Sequence, residues 1–222
     1  MKLVHPDMEG QILLDFQRPF EWIIESPDIF LKFLQELCSQ IDGGEGRFVL
    51  SDGEEISLSK NAEIIINPLN VDMNDRKVLN KLYVELSELS FGEELYLETQ
   101  KILAEIQEYF MKLEHISDYF LEMDSKIDMP AVFKTMGVKF QNCSDSLIEN
   151  LCQYIEIMAS LMKKKIIIMV NIRSYVNDDQ LNLLIENIRY KEIALLLIEN
   201  VERELPDSTC RYIIDHDHCE IY

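Results

Sequence analysis

Positive charge is what this chain has least of. Lysine and arginine number 21 against 41 aspartates and glutamates, a formal charge of −20 at neutral pH. Nucleic-acid binders usually show a basic balance, so bulk charge argues against that class and for solubility and divalent cations. A local basic patch stays open. No apolar run reaches the roughly 18 residues of a spanning helix. The opening Met1-Lys2-Leu3-Val4-His5-Pro6-Asp7 has no signal-peptide core. Five cysteines, an odd number without zinc spacing, then read as reduced cytosolic thiols, and the expected location is cytoplasmic. There is no Gly-x-x-x-x-Gly-Lys-Ser/Thr phosphate loop, no Gly-x-Ser-x-Gly elbow and no EF-hand pattern. Internal repeats and low-complexity segments are absent too.

What is present begins with Lys163-Lys164-Lys165-Ile166-Ile167-Ile168-Met169-Val170-Asn171. An unbroken apolar run of that length predicts a strand buried on both faces of a parallel sheet. With a helix from about Asp178 to Ile188 and a second run, Ile193 to Ile198, it forms a βαβ unit. Ala62 to Ile66 is another buried strand. Lys2–Val4 and Gln11–Phe16 are expected to pair across His5–Gly10, and Phe48–Leu50 with Ile56–Leu58 across Asp52-Gly53. Ser26-Pro27-Asp28 starts a helix that stops at Gly43-Gly44. Ser146-x-x-Glu149 reads as a capping box for a helix through Leu161. Tyr212–Ile214 and Glu220–Tyr222 are expected as short edge strands.

From Asn74 to Met123 there is no proline and the only glycine is Gly92. Leu79, Leu82, Tyr83, Leu86 and Leu89 keep helical spacing. The run after Gly92 could form one helix of about 30 residues, about 45 Å long. Two helices joined near Gly92 would make an arm over 73–128, inserted into an α/β body of 1–72 and 129–222. Two ordinary packed helices are the plainer alternative. Pro130–Met136, closed by Gly137, is a short helix, and Val138-Lys139-Phe140 an extended piece.

Several clusters invite a chemical reading. Gly43-Gly44-Glu45-Gly46 follows a helix and precedes a strand, the reverse of a phosphate loop, and reads as a helix stop. Asp215-His216-Asp217-His218-Cys219 holds metal-ligand types, with a solvated turn as the simpler reading. Cys143 precedes a helix, where a thiolate could be stabilised. Glu114, Asp118, Glu122, Asp124 and Asp128 lie at and beyond the end of the long helix, with Asp118 and Glu122 on one helical face. They read as a solvated acidic face or as oxygen ligands for calcium. Basic residues concentrate at Lys163, Lys164 and Lys165, at Lys134 and Lys139, and at Lys60, Arg76, Lys77 and Lys81. In one monomer these are scattered surface charges. Only an assembly of copies makes them a phosphate-binding track.

Lys134-Thr135-Met136-Gly137-Val138-Lys139, Ser144-Asp145-Ser146-Leu147-Ile148-Glu149 and Lys163 to Asn171, in that order and spacing, resemble the Csn-two family of type II-A CRISPR accessory proteins. The likeness extends over nearly the whole chain. It implies a P-loop-ATPase-like α/β body without the phosphate loop, carrying a long helical insertion. It implies a homotetrameric ring, stabilised by calcium, that encircles double-stranded DNA, prefers ends and has no catalytic activity. The implied step is acquisition of new spacers, alongside the CRISPR integrase proteins and the RNA-guided effector nuclease. Glu122 and Asp124 match the family's calcium region best, followed by Asp118 and Asp128. The lysines would line the ring's inner belt. A degenerate nucleotide-dependent enzyme, ATPase or nuclease, and a protein-only scaffold are the alternatives.

Overall fold

The computed structural model describes residues 1–124, 126–141, 145–204 and 209–221. The chain divides into two compact units, Met1–Met73 with Asn142–Tyr222, and Asn74–Gln141. In chain order the first unit contains β1 (Lys2–Val4), β2 (Ile12–Leu13), β3 (Phe20–Ile24), α1 (Pro27–Ile41), β4 (Val49–Asp52), β5 (Glu54–Ile56), α2 (Leu58–Asn61) and β6 (Ala62–Ile65). The second unit follows, with α3 (Arg76–Ser90), α4 (Tyr96–Ile116) and α5 (Met129–Thr135). The first unit resumes with α6 (Leu147–Ser160), β7 (Ile166–Val170), α7 (Asp178–Tyr190), β8 (Ala194–Glu199), β9 (Cys210–Ile214) and β10 (Glu220–Ile221).

The first unit is a mixed α/β structure around a largely parallel sheet. Its six described strands run in the order β10-β9-β3-β8-β7-β6, parallel throughout except for the β10 edge. The opening run fills its predicted place. Every residue of β7 is buried, with Ile166 in register with Ala62 on one side and Ala194 on the other. Alternation divides the side chains between two faces. Ile166, Ile168, Val170, Leu196 and Ile198 join one core with Phe33 and Leu37 of α1. Leu3, Ile12 and Leu50, from a smaller antiparallel sheet of order β2-β1-β4-β5, complete it. Ile167, Met169, Leu195 and Leu197 point the other way, toward the side that buried residues of α6 and α7 complete. Each such side chain contributes about 1.5–3 kcal/mol by leaving water.

The largest omission from the sequence reading is β3. It lies between β8 and β9 and all five of its residues are buried. Pro19 ahead of it and Glu21 inside it disguise a central strand as a loop. β9 is interior, paired in parallel with β3, so of the two expected edge strands only β10 is an edge, and β6 closes the other side of the sheet. The helix signals also shift. Ser146 occupies the N-cap of α6 without a side-chain cap bond, whereas Asn177 and Gln180 form a reciprocal capping box on α7. Gly43, at φ +93°, ends α1, and a Cβ at Gly44 would lie 2.5 Å from the Ser39 hydroxyl.

The second unit runs past the expected boundary at 128. The Tyr83 hydroxyl of α3 donates to the Val138 carbonyl at 2.9 Å. The Asn74 amide both accepts from the Phe140 N–H (2.8 Å) and donates to its carbonyl (3.2 Å), in the manner of a paired strand. These bonds hold α5 and its sequel with α3. The long helix is shorter than expected, 21 residues. Ser117 ends it by turning its hydroxyl to backbone groups of Glu114 and Tyr119, a competing bond that short polar side chains offer. Asp118 and Glu122 are therefore not one helical face. Only Thr99 is buried on α4, whose Oγ1 donates to the Ser90 carbonyl at 2.7 Å, while Ile102, Tyr109 and Ile116 stay more than half exposed. Among the described residues no helix is long and apolar enough to cross a membrane.

Candidate functional site

The basic residues fall into two groups, one in each unit. In the first unit, Lys60 lies in the last turn of α2, and Lys163, at φ 57°, turns the chain into β7. Both are exposed, and no carboxylate lies within 4 Å of either among the described residues. Lys164 is different. Its ammonium donates to the carbonyls of Ser59 (2.8 Å) and Ala62 (2.6 Å) and pairs with Glu63 at 3.7 Å, with its side chain 9% exposed. It ties β6 to the entry of β7 and is a structural lysine, which corrects its expected place on a DNA-facing belt. Lys165 is exposed but lines a cavity of about 620 Å³ with Asp15, Asp52 and Glu192. Their negative field weakens its pull on a phosphate. In the second unit, Arg76, Lys77 and Lys81 are exposed along the start of α3, and Lys134 and Lys139 flank Gly137. None of these five is ion-paired among the described residues. By contrast Lys32, Arg47, Lys112, Lys191 and Arg211 are all engaged by carboxylates.

The acidic candidates are exposed: Asp118, Glu122, Asp124 and Asp128. Asp118 borders one hollow, with Glu114 and His115, and Asp124 and Asp128 border another. Among the described residues no three His, Cys, Asp or Glu side chains converge as metal ligands. The Asp215–Cys219 cluster is a hairpin turn. The Asp215 carboxylate accepts from the N–H groups of Asp217 (2.9 Å) and Cys219 (2.7 Å). Cys38, Cys152, Cys210 and Cys219 are free thiols, and burial pushes Cys38 and Cys152 up in pKa. Cys143 lies outside the described residues.

A buried ionic network that the sequence reading did not single out lies on one side of the parallel sheet. Glu21 of β3, wholly buried, receives Arg173 at 3.4 Å and Arg211 at 2.8 Å. Arg173 also reaches Asp178 and the Glu204 carbonyl, and its N–H donates to the Glu199 carboxylate at 3.2 Å. Arg203 donates to the Arg173 carbonyl. Asn171, at φ 51°, accepts the Asn200 N–H and links the ends of β7 and β8. The available sequence signal is that a polar residue, Asn171, follows β7 and that β8 ends on Glu199.

The family model described as CRISPR-associated protein (Cas_Csn2) matches residues 40–218. The chain belongs to this family. A Csn2 protein of Enterococcus faecalis is 29% identical over 105 residues, 47% of this chain and 45% of that protein. Another, of Streptococcus agalactiae, is 32% identical over 121 residues, 54% of this chain and 52% of that one. The chain thus spans about half the length of the curated Csn2 relatives it matches. A putative ABC transporter ATP-binding protein from Pyrococcus furiosus superposes with a TM-score of 0.44 at 10% identity, covering 98% of this chain and 99% of its own.

The ionic network gives this Csn2-family chain a pH dependence. Burial raises the Glu199 carboxyl to about 7, against the partial relief of the Arg173 N–H. A raised folded-state pKa stabilises below the unfolded value and is lost as pH climbs through the folded one. Between pH about 7 and about 4.5 Glu199 therefore adds stability on acidification, on the order of 3 kcal/mol at full effect. His5 acts in the opposite sense. Burial lowers its pKa, its Nδ1 accepting the Asp7 N–H while Nε2 faces Glu36 at 3.2 Å, so its contribution falls as pH drops below about 6.5. Urea midpoints from Trp22 fluorescence at pH 5 and pH 8 separate the two. Acidification should raise the wild-type midpoint relative to Glu199→Gln; equal pH responses would remove Glu199 from the account.

Proposed function

We propose that this chain binds the phosphate backbone of double-stranded DNA without reading its sequence and without catalysis. It acts as a calcium-stabilised homotetrameric ring that threads onto DNA ends. Its step is acquisition of new spacers in type II-A CRISPR immunity, beside the CRISPR integrase proteins and the RNA-guided effector nuclease. Family membership supports the CRISPR role. The observation that carries the DNA reading is the pattern of free cations. In a chain of net charge −20, Lys60 and Lys163 in one unit and Arg76, Lys77, Lys81, Lys134 and Lys139 in the other are exposed and unpaired among the described residues. Phosphates are recognised by such point charges, and phosphate contacts carry no base information.

One copy at −20 repels a polyanion, so these cations become a track only when copies repeat them. The exposed apolar positions of α4 support self-association. Calcium takes six to eight oxygens, and one chain's described side chains do not converge to supply them. The proposed calcium therefore belongs to the assembly, where unpaired acids such as Glu122 and Asp124 of more than one copy meet. Catalysis on nucleotides finds little support. A phosphate loop joins a parallel strand to a helix through glycines. The β3–α1 turn is Glu25-Ser26, and the segment from β7 to α7, Asn171–Asn177, has no glycine and carries Arg173 of the ionic network.

Native mass spectrometry with and without chelator, then with linear and covalently closed duplex DNA, tests this reading. The tetramer and its DNA binding should weaken together on chelation, and linear DNA should be preferred. An unchanged tetramer after thorough chelation removes calcium, and equal binding of closed circles removes threading. ATP turnover lost on changing an acidic residue would instead establish the nucleotide-dependent alternative.

A further inference from the structure

Strands β8 and β9 both pair in parallel with β3, so residues 200–209 carry the chain back along the sheet from one to the other. A parallel crossover usually takes about a dozen residues or more, with a helix that docks through its apolar face. This one is shorter, and arginines tie down its described part instead. Arg173 donates to the Glu204 carbonyl at 2.7 Å. Arg211 of β9 donates to the Arg203 carbonyl and to the Glu202 carboxylate. Arg203 reaches back from the crossover to the Arg173 carbonyl. The Asn200 N–H is bonded to the Asn171 side chain at 3.2 Å.

The charges around this segment balance only without Glu199. Glu21 of β3 pairs with Arg173 and Arg211, Asp178 of α7 pairs with Arg173, and Glu202 with Arg211. With Arg203, three guanidiniums thus face three carboxylates. Glu199 is a fourth, 1% exposed, with Glu21 as a like charge on the adjacent strand. Among the described residues its carboxylate accepts one bond, from the Arg173 N–H, and no cationic side chain lies within 4 Å of it. Protonated, it leaves the group neutral. Ionised, it adds a buried charge without an ion-pair partner, which is costly. A carboxylate also draws guanidinium N–H groups about twice as strongly as a neutral carbonyl does. Arg173 and Arg203 would turn to it from the carbonyls that pin the crossover. We propose that residues 199–204 form a strap that stays closed over the network while Glu199 is protonated and lifts when Glu199 ionises, admitting water. The inference goes beyond DNA binding and stands independently of it.

Hydrogen exchange of the full chain at pH 6 and pH 8, with labelling times scaled to the intrinsic rate at each pH, tests it by mass spectrometry. The fragments to follow hold Arg173 and Asn200, whose N–H groups are bonded to Glu199 and Asn171. Closed, the strap keeps Glu199 at about 7; open to water, the carboxyl returns toward its ordinary 4.5. By linkage, protection of both fragments should fall about tenfold from pH 6 to pH 8. The fragment holding Ile166–Val170, buried in β7, should keep its protection and so separate local opening from loss of the whole unit. Glu199→Gln, which keeps the size and removes the charge, should hold the strap closed at both pH values. Unchanged wild-type protection between the two pH values would overturn the proposal. So would an equal fall in Glu199→Gln, or a wild-type fall shared by the β7 fragment.

Discussion

Arg173→Met is expected to cost about 3–5 kcal/mol of folding stability, because it strips one partner from a buried charge. Glu21 has no exposure, and Arg173 and Arg211 share its two oxygens. Arg173 also holds the Glu204 carbonyl and faces Asp178, so its loss frees the segment after β8 as well as a carboxylate. The measurement is urea unfolding followed by Trp22, the only tryptophan, which is wholly buried in the first unit and therefore reports that unit alone. Glu21→Gln in the Arg173→Met background should recover part of the loss, since a neutral amide is easier to bury than a carboxylate that keeps Arg211 on only one of its oxygens. A loss below about 1 kcal/mol for Arg173→Met, the size of a surface ion pair, would mean that the network is solvated.

DNA affinity is expected to fall by about 10³–10⁵ between 50 and 200 mM salt if six to ten phosphates are contacted. The slope of log affinity against log salt falls by about 0.9 for each phosphate contact removed, and a symmetric assembly multiplies each substitution by its copies. Lys163→Gln, Lys60→Gln and Lys77→Gln should each flatten the slope and weaken all duplex sequences alike. Lys165→Gln should do less, given Asp15, Asp52 and Glu192 around the same cavity. Lys164→Met should lower the Trp22 urea midpoint and leave the slope unchanged, because its ammonium is committed to Ser59, Ala62 and Glu63. A Lys164 variant that alone flattens the slope would reverse the assignment of the three lysines.

The three lysines show how far sequence reading reaches. Ile166 to Val170 announce a strand through composition alone, since a short apolar run of which four residues in five are β-branched suits a strand buried on both faces better than a helix. The lysines before them carry no such periodic signal. A lysine's long stem can turn its charge to water or to a carbonyl. Which one happens depends on where α2 and β6 leave their backbone oxygens. The same holds for the long helix. Its apolar pattern continues past Ile116, but a helix with one buried residue gains little from tertiary packing, and Ser117 ends it. Glu21 is the sharpest case. Its partner Arg173 is 152 positions away, beyond any local pattern.

By itself the sequence determined the buried parallel strands β7 and β8, the helix between them and the presence of a helical insertion. These rest on local periodicity and turn chemistry, which act over a few residues. Only the tertiary structure decided that Phe20–Ile24 is a central strand and that Lys164 serves the fold while Lys163 faces water. Only it decided that, among the described residues, the acids of 118–128 do not converge within one chain as a group of three metal ligands. Those outcomes depend on which distant groups desolvate one another, and burial fixes the cost of a charge only once the neighbours are in place.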